Sequence, residues 1–562
     1  MNGNNWYKSM VVYQIWCRSF CDGNGDGIGD LWGVLSKLDY IKSLGADAIW
    51  FSPIYPSPNA DYGYDISDYM NIHPDFGNLD IFKEVLDGAH KRGMKVFMDL
   101  VVNHTSDEHK WFIESKKGDD NPYHDYYYWR KGKVVDGKRV PPNNWTSLFE
   151  GGAWEYDEGL DEYYLHVFAK KQPDLNMANP KVREEVKKIL KFWLDMGVDG
   201  FREDVITFID KAEGLPDDYP VRDRGTGARY YVDRPKVHQY LKEFRDDVLS
   251  HYDCYTIGEA PGTSPEGCLR YTAEGPDHVL DEMISFEPMD ADGDSLTGLP
   301  KKFDLVQMKT AFTNWQNVLA AGKAWNSLYI ENHDHPRIIS RYGSEKYWKE
   351  SGKMLAAMYM LQRGTPFVYQ GQELGMMNLR LDSVDKYIDI ASKNNARIYS
   401  KTMSKEEVLK AIQASTRDSA RTPVQWSSDE NAGFTTGKPW FYVNPNYTTV
   451  NEADEDKDPD SILNFYRQLI KYRKESPVAV WGDFKEFYPD DTNFYVYQRT
   501  YEGKRLLVIC CFSGQPLTFT APEGYDLSKG KLAVTNYPTE SVKIDGSTFT
   551  TRPYELRVYE FD

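Results

Sequence analysis

Short apolar runs alternate with amphipathic stretches along most of the chain. Residues 11–15, 46–51, 96–102, 198–201, 254–257, 327–330 and 366–369 are short, mainly apolar segments. Runs of that length and setting predict strands buried on both faces. Between them, residues 31–44, 79–92, 182–196 and 236–249 carry apolar positions at helical spacing. Strands alternating with helices predict an α/β protein with a parallel sheet. Eight such units closing on themselves make a (β/α)8 TIM barrel, while periodicity alone leaves an open doubly wound sheet standing.

The alternation breaks twice. From residue 105 to 176 the chain is rich in Tyr, Trp, Gly, Asp and Lys and has little helical period. That is too long for a plain βα loop and predicts a small inserted domain after the third strand. After about Trp481 the pattern becomes short alternating strands, as in FYVYQR, KRLLVIC and YELRVYEF, which predicts an all-β sandwich. The expected organisation is therefore a barrel over 1–104 and 177–480, an insertion over 105–176 and a C-terminal β-sandwich domain over 481–562. The acidic stretch NEADEDKDPDS (451–461) reads as a solvated loop.

Composition narrows the function. Hydrophobic residues are 41% and charged residues 27% of the 562, an ordinary globular balance. Aromatics reach 14%, with 15 Trp and 40 Tyr, an excess suited to pocket walls that stack on flat apolar faces such as sugar rings. A net charge of -19 gives no attraction to nucleic acid or to an anionic membrane. The opening MNGNNWYKSMVVYQIW lacks a signal-peptide pattern, and no run of about 18 apolar residues occurs. The 6 Cys have no paired zinc spacing. These features lead us to expect a cytoplasmic protein, a monomer or weak homo-oligomer, without nucleic-acid or membrane partners.

Polar groups gather just after the predicted strands. DLVVNH supplies Asp99, Asn103 and His104; GFREDVI supplies Arg202 and Asp204; IGEA supplies Glu259; ENHDHPR supplies His333 and Asp334. In a barrel these strand ends share one face. In this order and spacing the four motifs resemble the signature regions of the α-amylase family of glycoside hydrolases. KQPDLN (171–176), GTPFVYQGQELGM (364–376) and RDSARTPVQW (417–426) are similar to the family's oligo-1,6-glucosidase branch.

That resemblance implies roles. Asp204 is expected as the nucleophile, Glu259 as the acid and then the base, and Asp334 as a holder of ring hydroxyls that helps distort the sugar. Retaining chemistry needs the first two carboxyls about 5–5.5 Å apart, which adjacent strand ends can supply. Arg202, two residues from Asp204 and on the same side of the strand, would favour the ionised nucleophile. His104 and His333 are implied for hydroxyls of the terminal glucose. In ADYGYD (60–65), Asp61 is implied for outer hydroxyls and Tyr64 for stacking under the ring. Arg421 is expected to pair with Asp61 and close the pocket's blind end, with Arg417 a competing candidate. Phe168 is a side-wall candidate, with core packing the alternative. A blind pocket admits only a chain end, so exo-acting release of glucose from a small oligosaccharide is expected.

Val205 follows the nucleophile, and in the family resembled Val there accompanies preference for α-1,6 bonds. The expected substrates are isomaltose-type oligosaccharides. The alternatives are an α-1,4-preferring or broad α-glucosidase, a sucrose hydrolase, a transglycosylating disaccharide isomerase, or a non-catalytic transporter subunit. Glu203 and His335 depart from the residues usual in relatives. Isomerases carry an Arg-Leu-Asp-Arg element where this chain reads FDLVQMK (303–309). DGNGDGIGD (22–30) offers Asp22, Asn24, Asp26 and Asp30 side chains and the Ile28 carbonyl, in an alternation like the first half of an EF-hand loop. Similar enzymes bind calcium there, so one structural Ca2+ is expected and no organic cofactor.

Overall fold

The structure, a computed structural model, describes residues 5–149, 151–220, 226–293, 298–542 and 546–562. Its centre is a sheet of eight strands: β1 (Val12–Ile15), β2 (Ala48–Phe51), β3 (Lys95–Leu100), β4 (Gly200–Glu203), β5 (Tyr255–Glu259), β6 (Glu282–Ile284), β7 (Ser327–Leu328) and β8 (Thr365–Tyr369). All neighbours run parallel, with Val12 beside Ala48 and Phe367, Gly200 beside Phe97 and Tyr255, and Ile257 beside Glu282. The ends meet where Ser327 Oγ donates to the Met283 carbonyl at 2.8 Å, giving the barrel. Apolar runs line the strands because both faces are covered: β1, β2 and β8 are buried at every position.

Helices between strands begin and end where local chemistry dictates. Leu79–Lys91 starts at Asn78, whose side chain accepts from the Asp80 and Ile81 amides. Pro180–Met196 has Pro at its first position and stops at Gly197 with φ 108°. Residues 31–44 form two helices, Leu31–Ser36 and Leu38–Leu44, separated at Lys37. β6 is a strand that the apolar pattern did not reveal.

Between β3 and β4 lies a small antiparallel sheet of Trp129–Arg130, Glu162–Leu165 and Trp154–Asp157, with a hairpin of Lys133–Val135 and Lys138–Val140. It is tied to the barrel rim by a fully buried ion pair, Lys211 Nζ to Asp174 Oδ2 at 2.6 Å, with Lys211 also donating to Asn103 Oδ1 at 2.7 Å. The C-terminal part is an antiparallel sheet of β9 (Asp483–Phe487), β10 (Phe494–Tyr501), β11 (Lys504–Cys511), β12 (Lys531–Thr535) and β13 (Leu556–Phe561), in the order β9-β10-β11-β13-β12. Val496, Leu507, Ile509 and Tyr559 form its inner face with Phe519 of the two-stranded sheet Thr518–Thr520/Thr548–Thr550.

The acidic stretch 451–461 is not a free loop. It contains the short helix Glu452–Glu455, capped by Asn451, and buries Asn451, Glu455 and Ser461. Glu455 Oε2 accepts from the Leu463 amide at 3.1 Å, so one acid in the run anchors the next helix.

Candidate active site

The strand ends put three carboxylates around one guanidinium. Arg202, on β4, is 1% exposed, and its Nη1 reaches Asp99 Oδ1 at 2.9 Å and Asp204 Oδ1 at 2.6 Å. Its Nη2 reaches Glu259 Oε1 on β5 at 2.5 Å. β4 ends in a sharp bend at Val205, whose φ of 35° is costly for a β-branched residue. That bend sends the Val205 amide to Glu259 Oε2 at 3.0 Å. Glu259 is thus held from two sides, by Arg202 and the Val205 amide, and Asp204 by Arg202.

Burial pushes the Asp204 and Glu259 carboxyls up, and Arg202 pulls both back. Burial also raises Asp99 to about 7 against the same guanidinium. One positive charge beside three enclosed carboxylates favours retention of a proton in the cluster. The arrangement can therefore present an ionised and a protonated carboxyl on adjacent strands.

A second cluster closes the far end. Arg417 Nη2 lies 3.1 Å from Asp61 Oδ1 and 2.6 Å from Asp389 Oδ1, while its Nη1 lies 3.1 Å from Asp334 Oδ1. Arg421 instead donates to the His333 carbonyl at 3.0 Å and to Asp334 Oδ1 at 3.1 Å. The expected Arg421–Asp61 pair is therefore corrected: Arg417 makes it. Both arginines project inward from one turn, and only the packed position of the Arg417–Ser419 helical turn decides which reaches farther. Burial raises the Asp334 carboxyl, but His333, Arg417 and Arg421 outweigh it and hold it well below the usual range. Burial pushes Asp61 to about 6, despite Arg417 and Arg421.

Between the clusters is a cavity of about 330 Å³. Asp61, Tyr64, His104, Phe168, Asp204, Val205, Glu259 and Asp334 all line it, as do Arg417 and Phe286. Arg202, His333 and Arg421 stand behind them, each 1% exposed. Tyr64 stacks on His333 with ring centroids 5.3 Å apart at 7°, and its hydroxyl lies 2.6 Å from His333 Nε2. His104 Nε2 meets the Tyr64 carbonyl at 3.0 Å and Gln172 Nε2 at 3.1 Å. Burial pushes both imidazoles to about 4, so they are neutral hydrogen-bonding groups near pH 7. Asp389 and Gln172 complete these networks without having been singled out. Gln172 sits inside KQPDLN and had that motif as its signal; Asp389, at the start of a helix among polar residues, had none. Glu203 is 2% exposed, turns away from the cavity and has an unpartnered Oε2.

The loop before the first helix has its own geometry. Asp22 accepts from the Gly25 amide at 2.7 Å and the Gly27 amide at 2.8 Å, Asn24 Oδ1 from Asp26 at 2.8 Å, and Asp26 Oδ1 from Ile28 at 2.8 Å. These bonds occupy the oxygen-bearing side chains with loop amides; as all-oxygen donors they are of the type that hard divalent cations take. Asp30 differs: it caps the helix and accepts from Gly23, Asn24 and Gly33. Gly27 cannot be replaced, because its φ is 98° and a Cβ would stand 1.9 Å from the Lys438 carbonyl. Elsewhere, Asp119, His124 and Glu162 bring ligand atoms within 4.8 Å of one another, and His124 Nε2 pairs with the two carboxylates at 3.1 and 3.4 Å.

Residues 14–482 match the α-amylase catalytic domain. The chain is 48% identical to an oligo-1,6-glucosidase of Parageobacillus thermoglucosidasius, with 99% of each chain covered. A crystal structure of Bacillus licheniformis trehalose-6-phosphate hydrolase superposes with a TM-score of 0.94 at 42% identity, again covering 99% of each chain. An isomaltulose synthase of Erwinia rhapontici NX5 gives 0.94 at 38% identity and the same coverage. With the barrel and the carboxylates at its strand ends, these matches establish that the chain belongs to the α-amylase family and is a glycoside hydrolase.

Proposed function

We propose that this enzyme is a retaining, exo-acting α-glucosidase that prefers terminal α-1,6-linked glucose in short oligosaccharides. The observation that carries the reading is the pairing of two clusters: Arg202 spans Asp204 and Glu259, while Arg417 seals the opposite end between Asp61 and Asp334. A sealed end leaves room for a chain terminus and none for a continuing chain.

In the proposed cycle, the Asp204 carboxylate attacks the anomeric carbon as Glu259 gives its proton to the departing glycosidic oxygen. The aglycone leaves with that proton, and glucose is joined to Asp204 as an ester. Water then loses a proton to Glu259 and attacks the same carbon, which frees Asp204 and returns glucose with its original configuration. Asp334, held ionised by His333, Arg417 and Arg421, offers a carboxylate to ring hydroxyls. His104 and Tyr64 flank it.

Val205 lines the cavity beside Asp204 and supports the α-1,6 preference by crowding approach of the second sugar. Phosphorylated trehalose is disfavoured by charge. Arg417 is the cation of the cavity wall among the described residues, and it is already shared by three carboxylates. The deciding experiment compares kcat/KM for isomaltose, panose, maltose, sucrose and trehalose 6-phosphate. Isomaltose and panose are expected to lead; strong preference for maltose would overturn the linkage, and preference for the phosphate would overturn the substrate class.

The same reading gives the 22–30 loop a structural Ca2+ held by Asp22, Asn24, Asp26 and the Ile28 carbonyl, with Asp30 closing the loop through amides. Calcium would supply positive charge that fixes the loop and takes no part in bond cleavage. Five buried cysteine thiols and a partly buried sixth support a reducing, cytoplasmic setting.

A further inference from the structure

The cavity wall contains one polar side chain that the protein leaves unsatisfied. Asp61, Tyr64, His104, Asp204, Glu259, Asp334 and Arg417 are all paired. His335 lines the same cavity and has no hydrogen bond or ion pair among the described residues. Its ring is fixed in place: it stacks on Tyr329 with centroids 6.2 Å apart at 27° and meets Phe286 edge-on at 6.2 Å. Nε2 is enclosed without a partner, and Nδ1 also has none among the described residues.

An imidazole held in one orientation with no protein partner keeps a hydrogen-bonding nitrogen available to whatever occupies the cavity it lines. Phe286 stands against the His335 ring, and Val205 lines the same cavity. We propose that His335 is a specificity-determining residue: it hydrogen-bonds a hydroxyl of the leaving sugar and selects hydroxylated leaving groups over apolar ones. This rests on the α-glucosidase reading above. Burial and the nearby Arg341 cation push the imidazole down to about 3, so the ring stays neutral and its nitrogens suit an uncharged hydroxyl.

The test compares kcat/KM on isomaltose and on p-nitrophenyl α-glucoside, whose leaving group has no hydroxyl in the bound ether. His335→Leu is expected to lose about tenfold on isomaltose and less than about twofold on the aryl glucoside, mostly through KM. His335→Gln restores a polar group at that wall and is expected to recover most of the loss. Equal losses on both substrates in both variants, or no change in their ratio, would overturn the inference while leaving the α-glucosidase reading intact. A parent enzyme that turns over neither substrate would overturn both. Retained aryl-glucoside turnover reports that each variant is folded.

Discussion

Glu203 and Asp204 are neighbours in the chain with opposite surroundings. Asp204 faces the cavity against Arg202, whereas Glu203 points into the barrel wall with no partner for Oε2. Burial, reinforced by Asp281, pushes Glu203 up to about 8. Its folded pKa therefore exceeds its unfolded value, and stability is lost as pH rises from about 4.5 toward 8. Replacing Glu203 with Gln is expected to leave stability near pH 4 little changed and to add roughly 3–5 kcal/mol at pH 8. Thermal melting across pH checks this, and a gain of equal size at pH 4 and pH 8 would contradict it. Glu259 is expected to behave differently, because the proposed cycle uses its proton. Its carboxyl is raised by burial, so the alkaline limb of kcat/KM is expected above the ordinary glutamate range, where the acid has lost its proton. Glu259→Gln should lower turnover of isomaltose by about 10²–10⁴-fold and remove that limb from the pH–rate profile.

At the scale of elements, the site depends on how an insertion is anchored to a barrel. Lys211 and Asp174 are both fully buried and paired at 2.6 Å. Lys211→Met leaves Asp174 as an enclosed, unpaired charge and is expected to cost about 3–5 kcal/mol; chemical denaturation measures it, and loss below about 1 kcal/mol would contradict the anchoring role. The 22–30 loop makes a separate prediction. Removing calcium with a chelator is expected to lower Tm by several degrees, and Asp22→Ala should abolish that response; an unchanged Tm and no bound metal would contradict the site. Much of this framework was legible in the chain because seven barrel strands fall in short, mainly apolar runs. β6 was not, since it is three residues long and contains Glu282, which is buried on an acid-flanked strand. The motif carboxylates were readable because they follow strands directly. The choice between Arg417 and Arg421 was not, because both leave one turn and only tertiary packing sets their reach.

The whole molecule assembles one reaction from distant parts of the chain. Asp61, Asp204, Glu259, Asp334 and Arg417 come from five separate segments, and the closed barrel holds them within one cavity. The C-terminal sheet braces that barrel: Arg499 of β10 is fully buried and donates to the Leu361, Ala479 and Gly482 carbonyls. The resulting pocket has Arg417 across one end and the Asp204–Glu259 pair at Arg202; on the proposed reading, glucose is expected to leave one unit at a time, through an ester on Asp204. The most direct test is mass spectrometry of the enzyme after brief exposure to 5-fluoro-α-D-glucosyl fluoride, which slows release of such an ester. The account predicts one glucosyl adduct per chain, on the peptide that contains Asp204, and its absence in Asp204→Asn. An adduct on another residue, or turnover of the natural substrate with inverted configuration, would contradict it.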